Sequence, residues 1–305
     1  MFLKRHGAPY GEARRLRYFL LMCSELLQSP SVDMDLFIDR LIVFAEKINP
    51  KLDEYIRKTG IMQSRAVARN YLRFADWLNF LQIESRLVVP NSYTVFLANL
   101  KGREDFFLTK REKVAFFLIF IELADVFRLL SSLKIKNAIK DYIRLLDLSE
   151  HFVESYFEWF VDLGILKPTS RKFGLFDLTN LGHHVSELSK SELGSLKRTH
   201  LSGAYIKNLL NTSVEYGLNI SDEDIWASFI KSLDKLKEYT CSEVDSNLYS
   251  AFPLILDLQI RLIFDYYLLV PTTELIKKLK DISARHNTIF SWDPLANAGY
   301  IKIRM

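Results

Sequence analysis

The segment from Gln63 to Leu81 constrains the fold of this 305-residue chain more than any other. Its apolar residues recur at spacings of three and four, the period of a helix that packs one face on a core. They are Val67, Leu72, Ala75, Leu78 and Leu81, with Tyr71, Phe74 and Trp77 widening the stripe. Thr59 and Gly60 precede it as a polar turn, and Gly permits a sharp helix-to-helix connection. The sequence therefore predicts an amphipathic helix over 63–81 that follows a tight turn.

The polar side of this helix is basic. Arg65, Arg69 and Arg73 recur every four residues, which stacks them on one helical face. Asp76 follows Arg73 by three residues, but no acidic residue stands three or four positions from Arg65 or Arg69. Unpaired like charges on one face repel each other, and an anionic partner removes that repulsion. Two interpretations stay open at this point: a face that contacts nucleic acid, and an ordinary solvated face.

Composition sets the fold class. Glycine and proline number only 11 and 8, and scarce helix breakers favour long helices and few tight hairpins. An apolar share of 49% predicts a packed core, and the length suits two or three domains. The net charge is only +4, with the basic excess in the N-terminal third. We expect a mainly α protein with small β-hairpins.

Several protein classes are disfavoured. Cys23 and Cys241 are too far apart in sequence to suggest a disulfide framework or a zinc motif. The longest uncharged apolar run, Val114 to Ile121, is well short of the roughly 20 residues that a membrane span needs. The N-terminus lacks the basic-then-apolar order of a signal peptide. These features predict a cytoplasmic protein with reduced thiols and no membrane contact.

The order of elements around the basic helix is informative. Helices are predicted over 33–47 and 50–58, and the basic helix is followed by two strand-like runs, Leu87–Val89 and Tyr93–Phe96. Three helices and a hairpin in this order resemble the winged helix-turn-helix superfamily over residues 33–100. The resemblance implies that the basic helix enters a DNA groove and that the hairpin is the wing.

A second module with the same order is predicted over 106–190. Thr109 and Glu112 form a capping box at the start of a long helix that reaches about Leu133. A helix over 136–146 follows, then one capped by Ser149 and closed by Gly164, and then a hairpin over 165–178. The string LTNLGHHVSEL, residues 178–188, resembles the strand-to-helix exit of many winged-helix regulators. In that resemblance Thr179 caps the helix and Gly182 allows tight packing.

The third helix of this second module has an acidic face. Glu150, Glu154, Glu158 and Asp162 recur every four residues, and the helix contains no Lys or Arg. Four carboxylates on one face repel phosphates, so we expect this helix not to enter DNA. A solvated face is the favoured interpretation, and a surface for a basic protein partner is the second.

The two ends of the chain complete the predicted organisation. Residues 1–32 are interpreted as a basic arm and leading helix, and residues 191–305 as a helical C-terminal domain. That domain contains the segments of a third winged helix, with a helix over 273–285 and a strand-like run from Tyr300 to Ile303. Flexible basic arms track phosphates or enter a minor groove, whereas many charged termini are simply solvated.

Catalytic motifs are not evident. The sequence has no Gly-rich phosphate loop, no Cys-x-x-Cys and no His-Glu-x-x-His. The adjacent pair His183 and His184 lacks the spacing of metal ligands on one helix. We therefore expect no enzymatic activity, no metal and no cofactor.

These observations favour a double-stranded DNA-binding protein. Arg65 and Arg69 are expected to approach base edges, since Arg offers two donors to guanine. The other candidate DNA contacts share a polar or basic side chain near the helix, the arm or a wing. They are Gln63, Ser64, Asn70, Arg73, Lys58 and Arg86, then Arg14, Arg15 and Arg17 of the arm, then Lys167, Arg171 and Lys172 of the second hairpin.

Two functional classes remain. Tandem winged helices occur in transcription regulators, in replication initiators and in the target-recognition parts of type IIS restriction endonucleases. The resemblance implies a non-catalytic recognition or regulatory component. The alternative is a winged-helix protein-interaction subunit of a larger complex, with the acidic face of Glu150, Glu154, Glu158 and Asp162 as its binding surface.

Overall fold

The structure is a computed structural model that describes residues 13–48, 61–100, 107–169, 174–190, 196–236, 248–286, 288–291 and 300–304. Within these ranges lie thirteen helices and eleven short strands. The expectation of a mainly α chain with small β-hairpins is confirmed. None of the helices in these ranges combines the length and the apolar run that a bilayer crossing requires.

One order of elements occurs three times: helix, strand, helix, helix, strand, strand. The first repeat consists of α1 (Leu16–Gln28), β1 (Val32–Asp33), α2 (Met34–Ile48), α3 (Arg65–Trp77), β2 (Gln82–Glu84) and β3 (Leu87–Val89). Two helices then follow, α4 (Ser92–Leu100) and α5 (Lys110–Phe120). The second repeat consists of α6 (Ala124–Ser132), β4 (Lys136–Ala138), α7 (Ile139–Leu146), α8 (Glu150–Asp162), β5 (Leu166–Pro168) and β6 (Leu175–Leu178).

The third repeat comes after a helical connection. That connection consists of α9 (Asn180–Lys190), α10 (Leu196–Leu210) and the short strand β7 (Glu215–Tyr216). The repeat itself consists of α11 (Asp222–Leu236), β8 (Leu248–Ser250), α12 (Ala251–Tyr266), β9 (Leu268–Leu269), α13 (Thr272–Arg285), β10 (Ile289–Ser291) and β11 (Tyr300–Arg304). It differs from the others by β9, which pairs in parallel with β7.

The three sheets share one topology. In each repeat the last strand lies in the middle and pairs antiparallel with the first and second strands, giving the orders β1-β3-β2, β4-β6-β5 and β8-β11-β10. Val88 of β3, for example, faces Val32 of β1 on one side and Ile83 of β2 on the other. Identical strand order in three sequence segments shows that the chain contains an internal structural repeat.

Aromatic side chains join the repeats into one core. Trp159 of α8 is fully buried, stacks on Phe120 of α5 with ring centroids 4.6 Å apart, and makes edge contacts with Phe19 of α1 and Phe74 of α3. Its indole Nε1 donates to the carbonyl of Ala13 at 2.6 Å. The third helix of the second repeat is therefore buried against the first repeat.

The third repeat and the helical connection are tied into this core in the same way. Tyr205 of α10 stacks on Phe117 of α5 with ring centroids 3.9 Å apart, and its hydroxyl donates to the carbonyl of Leu163. Tyr93 of α4 contacts Phe252 of α12 at 5.9 Å. The helices α4 and α5 thus lie between the repeats and contact all of them.

The predicted position of the first hairpin is wrong. Tyr93–Phe96 belongs to helix α4, and the hairpin is formed instead by β2 and β3. Asn91 caps α4, because its Oδ1 accepts hydrogen bonds from the backbone nitrogens of Tyr93 and Thr94. Periodicity cannot distinguish a strand from a central helix when a short apolar run is buried on nearly all sides. Seven of the nine residues of α4 are buried, so its sequence shows no polar face that would have identified the helix.

Other predicted boundaries also shift. The basic helix ends at Trp77 rather than Leu81. The long helix over 109–133 is two helices, α5 and α6, separated at Ile121–Leu123, although the predicted capping box of Thr109 and Glu112 is confirmed. The helix over 136–146 begins as strand β4. Ser149 stands at the first position before α8, but its side chain makes no capping hydrogen bond.

Gly182 has the packing role expected of it. Thr179 Oγ1 accepts from the Gly182 nitrogen at 2.9 Å, so α9 begins directly beneath the second hairpin. A Cβ atom on Gly182 would stand 2.0 Å from the carbonyl oxygen of Ile165 and 2.9 Å from Leu178 Cδ2. Only glycine allows this approach of helix and strand.

We expect Gly182→Ala to destabilise the fold by about 1–3 kcal/mol, because the backbone of β5 must move to admit one methyl group. The measurement is the free energy of unfolding in urea. His184→Ala, an exposed position on the same helix, serves as the control and should change stability little. Equal stability of the two variants would contradict the packing argument.

Candidate nucleic-acid interface

Helix α3 presents the predicted basic face to solvent. Ser64 caps it, its Oγ accepting from the Val67 nitrogen at 3.3 Å. One side of the helix is buried, through Ala68, Tyr71, Leu72, Phe74 and Ala75. On the other side Arg65 and Arg73 are exposed, Arg69 is partly exposed, and Gln63 and Ser64 are exposed at the start. The helical spacing therefore separates core and solvent as the sequence predicts.

Asp35 of α2 is the centre of the ionic contacts on this surface. Its Oδ1 lies 3.1 Å from Arg65 Nη2 and 3.4 Å from Arg69 Nη2, and its Oδ2 lies 2.9 Å from Arg86 Nη2. Asp39, one turn further along α2, accepts a second hydrogen bond from Arg65. We call Arg65, Arg69, Arg73 and Arg86, with Asp35 and Asp39, the arginine surface.

These contacts shift pKa values in the direction that favours the charged forms of the side chains. Hydrogen bonds from Arg65 and Arg86 lower the pKa of Asp35 below its ordinary value. Hydrogen bonds to Asp39 and Asp35 raise the pKa of Arg65. The side chains are solvent-exposed, from 36% for Asp35 to 73% for Arg86, so water and salt screen the pairs and exchange of partners costs little.

The hairpin brings Arg86 to this surface. Ser85 has a φ of 60° at the turn between β2 and β3, and Arg86 follows it. The carbonyl of Arg86 accepts from the Met34 nitrogen at 2.8 Å, which fixes the turn against the start of α2. Arg86 is thus held beside α3 although it is 13 residues or more from the arginines of that helix.

The remaining predicted contacts are distributed as follows. Asn70 is partly buried on α3. Arg73 is exposed and makes no ion pair within the described part of the chain. Lys167 is exposed on β5, in the second repeat. Lys58, Arg171 and Lys172 lie outside the described residues, as do the predicted helix over 50–58 and the first twelve residues of the arm.

The expectation that Arg15 contacts DNA is wrong. Arg15 is fully buried, with Nη2 at 2.8 Å from Glu158 and Nη1 at 2.9 Å from Asp162. Burial alone would lower its pKa, but the carboxylates of Asp162 and Glu158 outweigh that effect and raise it. Asp162 also accepts from the Leu16 nitrogen at 2.9 Å, which caps α1, a helix that has no side-chain cap of its own.

Its two neighbours are engaged in the same manner. Arg17 is buried with Glu112 of α5 at 2.6 Å, and Glu112 is itself fully buried. Arg14, which is less buried, pairs with Glu154 of α8 at 2.8 Å. These guanidinium groups lie against carboxylates of the same chain, so the prediction that Arg14 and Arg17 contact DNA is also wrong. The segment instead connects the first and second repeats.

The same contacts correct the prediction for the acidic face. Glu158 and Asp162 are largely buried against Arg15, and the partly exposed Glu154 pairs with Arg14, so the chain's own arginines neutralise these three carboxylates. Glu150 is exposed at the start of α8. The predicted basic arm and the predicted acidic face are therefore the two halves of one intramolecular contact, and α8 has no free face for a DNA groove.

Asp35 and Asp39 were not predicted from the sequence. The sequence shows no acidic partner for Arg65 or Arg69 three or four positions away in their own helix. Asp35 and Asp39 are themselves four residues apart on the preceding helix, matching the spacing of the arginines. Complementary spacing on two successive helices is the signal that would have found them.

Comparisons with known proteins add no relative. No protein-family model matches the sequence, and no curated protein or solved structure is significantly similar to it.

Proposed function

We propose that this chain binds double-stranded DNA through the arginine surface, as a non-catalytic recognition or regulatory component. In this proposal the three repeats are winged-helix modules, α3 is the recognition helix of the first, and the hairpin β2–β3 is its wing. The proposal rests mainly on one observation. Four arginines, three on the third helix and one at the hairpin turn, share an exposed surface of the first repeat.

The geometry favours different DNA contacts for different side chains. In this proposal Arg65 and Arg69, near the start of α3, approach base edges in a major groove, with Gln63, Ser64 and Asn70 beside them. Arg73, further along the helix, and Arg86, at the hairpin turn, contact phosphates. Phosphate contacts supply orientation and most of the salt-dependent affinity, whereas base contacts supply specificity.

DNA binding requires the arginines to exchange carboxylates for phosphates or bases. In the free protein Asp35 holds three guanidinium groups together and keeps them ordered. The exchange is inexpensive because the pairs are exposed, and Arg forms paired hydrogen bonds to phosphate as readily as to carboxylate. Asp35 is therefore an internal competitor for the anion that the surface binds.

The alternative function, a protein-interaction subunit, loses its predicted binding surface. It relied on Glu150, Glu154, Glu158 and Asp162, and the last three of these residues contact Arg14 and Arg15 of the same chain. The alternative stays a prediction without an assigned site.

Fluorescence anisotropy with labelled random and genomic duplexes, repeated over a range of salt concentrations, tests the proposal. We expect binding at low salt, with log affinity falling linearly against log salt by about 0.9 per phosphate contacted. Absence of binding at low salt, or an affinity that does not change with salt, would reject the proposal.

Asp35→Asn is expected to strengthen DNA binding, roughly fivefold at low salt, because it removes a negative charge that competes with phosphate. The same titration measures the effect. Asp141→Asn removes an equal charge from an exposed site on α7 and controls for net charge. Weaker binding by the Asp35 variant would mean that ordering of the arginines matters more than competition.

A further inference from the structure

A cleft lies between α9 and α10, away from the arginine surface. Its volume is about 710 Å³, within the range of about 300–1,000 Å³ that is usual for small-molecule sites. His184 and Glu187 line it from α9, and His200 and Lys207 line it from α10. Leu188, Ala204 and Val214 supply apolar lining. An apolar surface with several polar side chains converging on it is the usual construction of a ligand site.

Tyr216 of β7 forms one wall of the cleft. A Cβ atom on Gly203 would stand 2.0 Å from the Tyr216 hydroxyl oxygen, so the phenol lies directly on the backbone of α10. The imidazole of His200 meets the Tyr216 ring edge-to-face, with centroids 5.5 Å apart. The parallel pairing of Tyr216 with Leu269 of β9 holds its backbone in place. Tyr216 is nevertheless 51% exposed, so a fixed aromatic ring is open to solvent beside the cleft.

The unpaired charge in the cleft is positive. Glu187 already pairs with Lys190 at 2.9 Å, and that contact lowers the pKa of Glu187. Lys207 makes no ion pair within the described part of the chain. Each of the two imidazoles can donate a hydrogen bond. One ammonium and two imidazoles facing one space suit an anion.

We propose that this cleft binds a mononucleotide, a ligand that combines a phosphate group with a planar base. Lys207, His184 and His200 would hold the phosphate, and the exposed ring of Tyr216 would stack on the base. Aromatic stacking tolerates every base, so these four side chains select a nucleotide as the class of ligand without selecting its base. The proposal is independent of DNA binding by the arginine surface.

Isothermal titration calorimetry with AMP, GMP, CMP and UMP tests the site, with the matching nucleosides and inorganic phosphate titrated separately. We expect at least one nucleotide to bind more tightly than its nucleoside and more tightly than phosphate. Lys207→Met should weaken that binding about tenfold or more through loss of the charged contact. Tyr216→Ala should weaken it by a similar factor through loss of stacking.

The matched control is Lys231→Met, an exposed lysine of α11 that does not line the cleft, which should bind as the unaltered chain does. Circular dichroism melting shows whether each variant is folded. Because Lys207 is exposed, Lys207→Met should fold normally, and it tests the site even if Tyr216→Ala does not fold. Failure of all four nucleotides to bind, or equal binding by the Lys207 and Lys231 variants, would overturn the proposal. So would displacement of the nucleotide by duplex DNA, which would assign the cleft to a DNA-binding surface.

Discussion

Replacing Arg65 and Arg69 together with alanine is expected to weaken binding to duplex DNA at least a hundredfold at low salt. Removing one arginine from a base or phosphate contact costs about tenfold or more. Both side chains lie on the exposed face of α3, so their removal leaves the buried face of that helix intact. Fluorescence anisotropy measures the affinity, and the slope of log affinity against log salt should become shallower by about 0.9 for each phosphate that the variant no longer binds.

A matched double variant separates this specific effect from a general loss of charge. Arg128 and Arg144 are exposed on α6 and α7 of the second repeat, and changing both to alanine removes the same charge from the molecule. We expect that variant to keep its affinity within a few-fold. Similar losses in the two double variants would show that the arginine surface has no special role and would favour the interpretation of α3 as a solvated face.

The elements that the sequence predicted well have local causes. The amphipathic period of α3 and the capping box of Thr109 with Glu112 depend on residues within a few positions of one another. Hydrophobic periodicity and capping chemistry are properties of short windows, so they can be derived without knowledge of the fold.

The features that the sequence did not predict depend on contacts between distant segments. The basic segment and the acidic face were interpreted as two separate surfaces, yet Arg15 lies between Glu158 and Asp162, more than 140 residues away. A basic segment and an acidic helix face are each compatible with solvent, with partners or with each other. Only the packing of Trp159 and its neighbours brings these two segments together.

The candidate site was predicted in part for the same reason. Periodicity placed Arg65, Arg69 and Arg73 on one face, and the structure places them there. It could not supply Asp35 and Asp39, because their contacts with arginine depend on how α2 packs against α3. Such carboxylates matter for any proposed function of a basic face, since they compete with other anions for the arginines and hold the side chains in order.

Glu112→Gln is expected to destabilise the protein by about 3–5 kcal/mol, because it breaks a buried ion pair by neutralising one of its two partners. Arg17 and Glu112 are 2% and 0% exposed, and their Nη1 and Oε1 atoms lie 2.6 Å apart. Gln has the same shape, and it also serves at the third position of a capping box, so the contact between Glu112 and Thr109 is largely retained. The destabilisation therefore reports the buried charge rather than the helix cap, and urea unfolding measures it.

Two further variants determine whether loss of this ion pair is the cause. Arg17→Met combined with Glu112→Gln removes the charge as well as its partner, and we expect it to recover most of the missing stability, because an apolar side chain fills the same volume. Glu154→Gln makes the same substitution at the more exposed pair with Arg14, where stability should fall by about 1 kcal/mol or less. If Glu154→Gln is as damaging as Glu112→Gln, or if Arg17→Met gives no recovery, the stability of this junction comes from packing around Trp159 and not from the ion pairs.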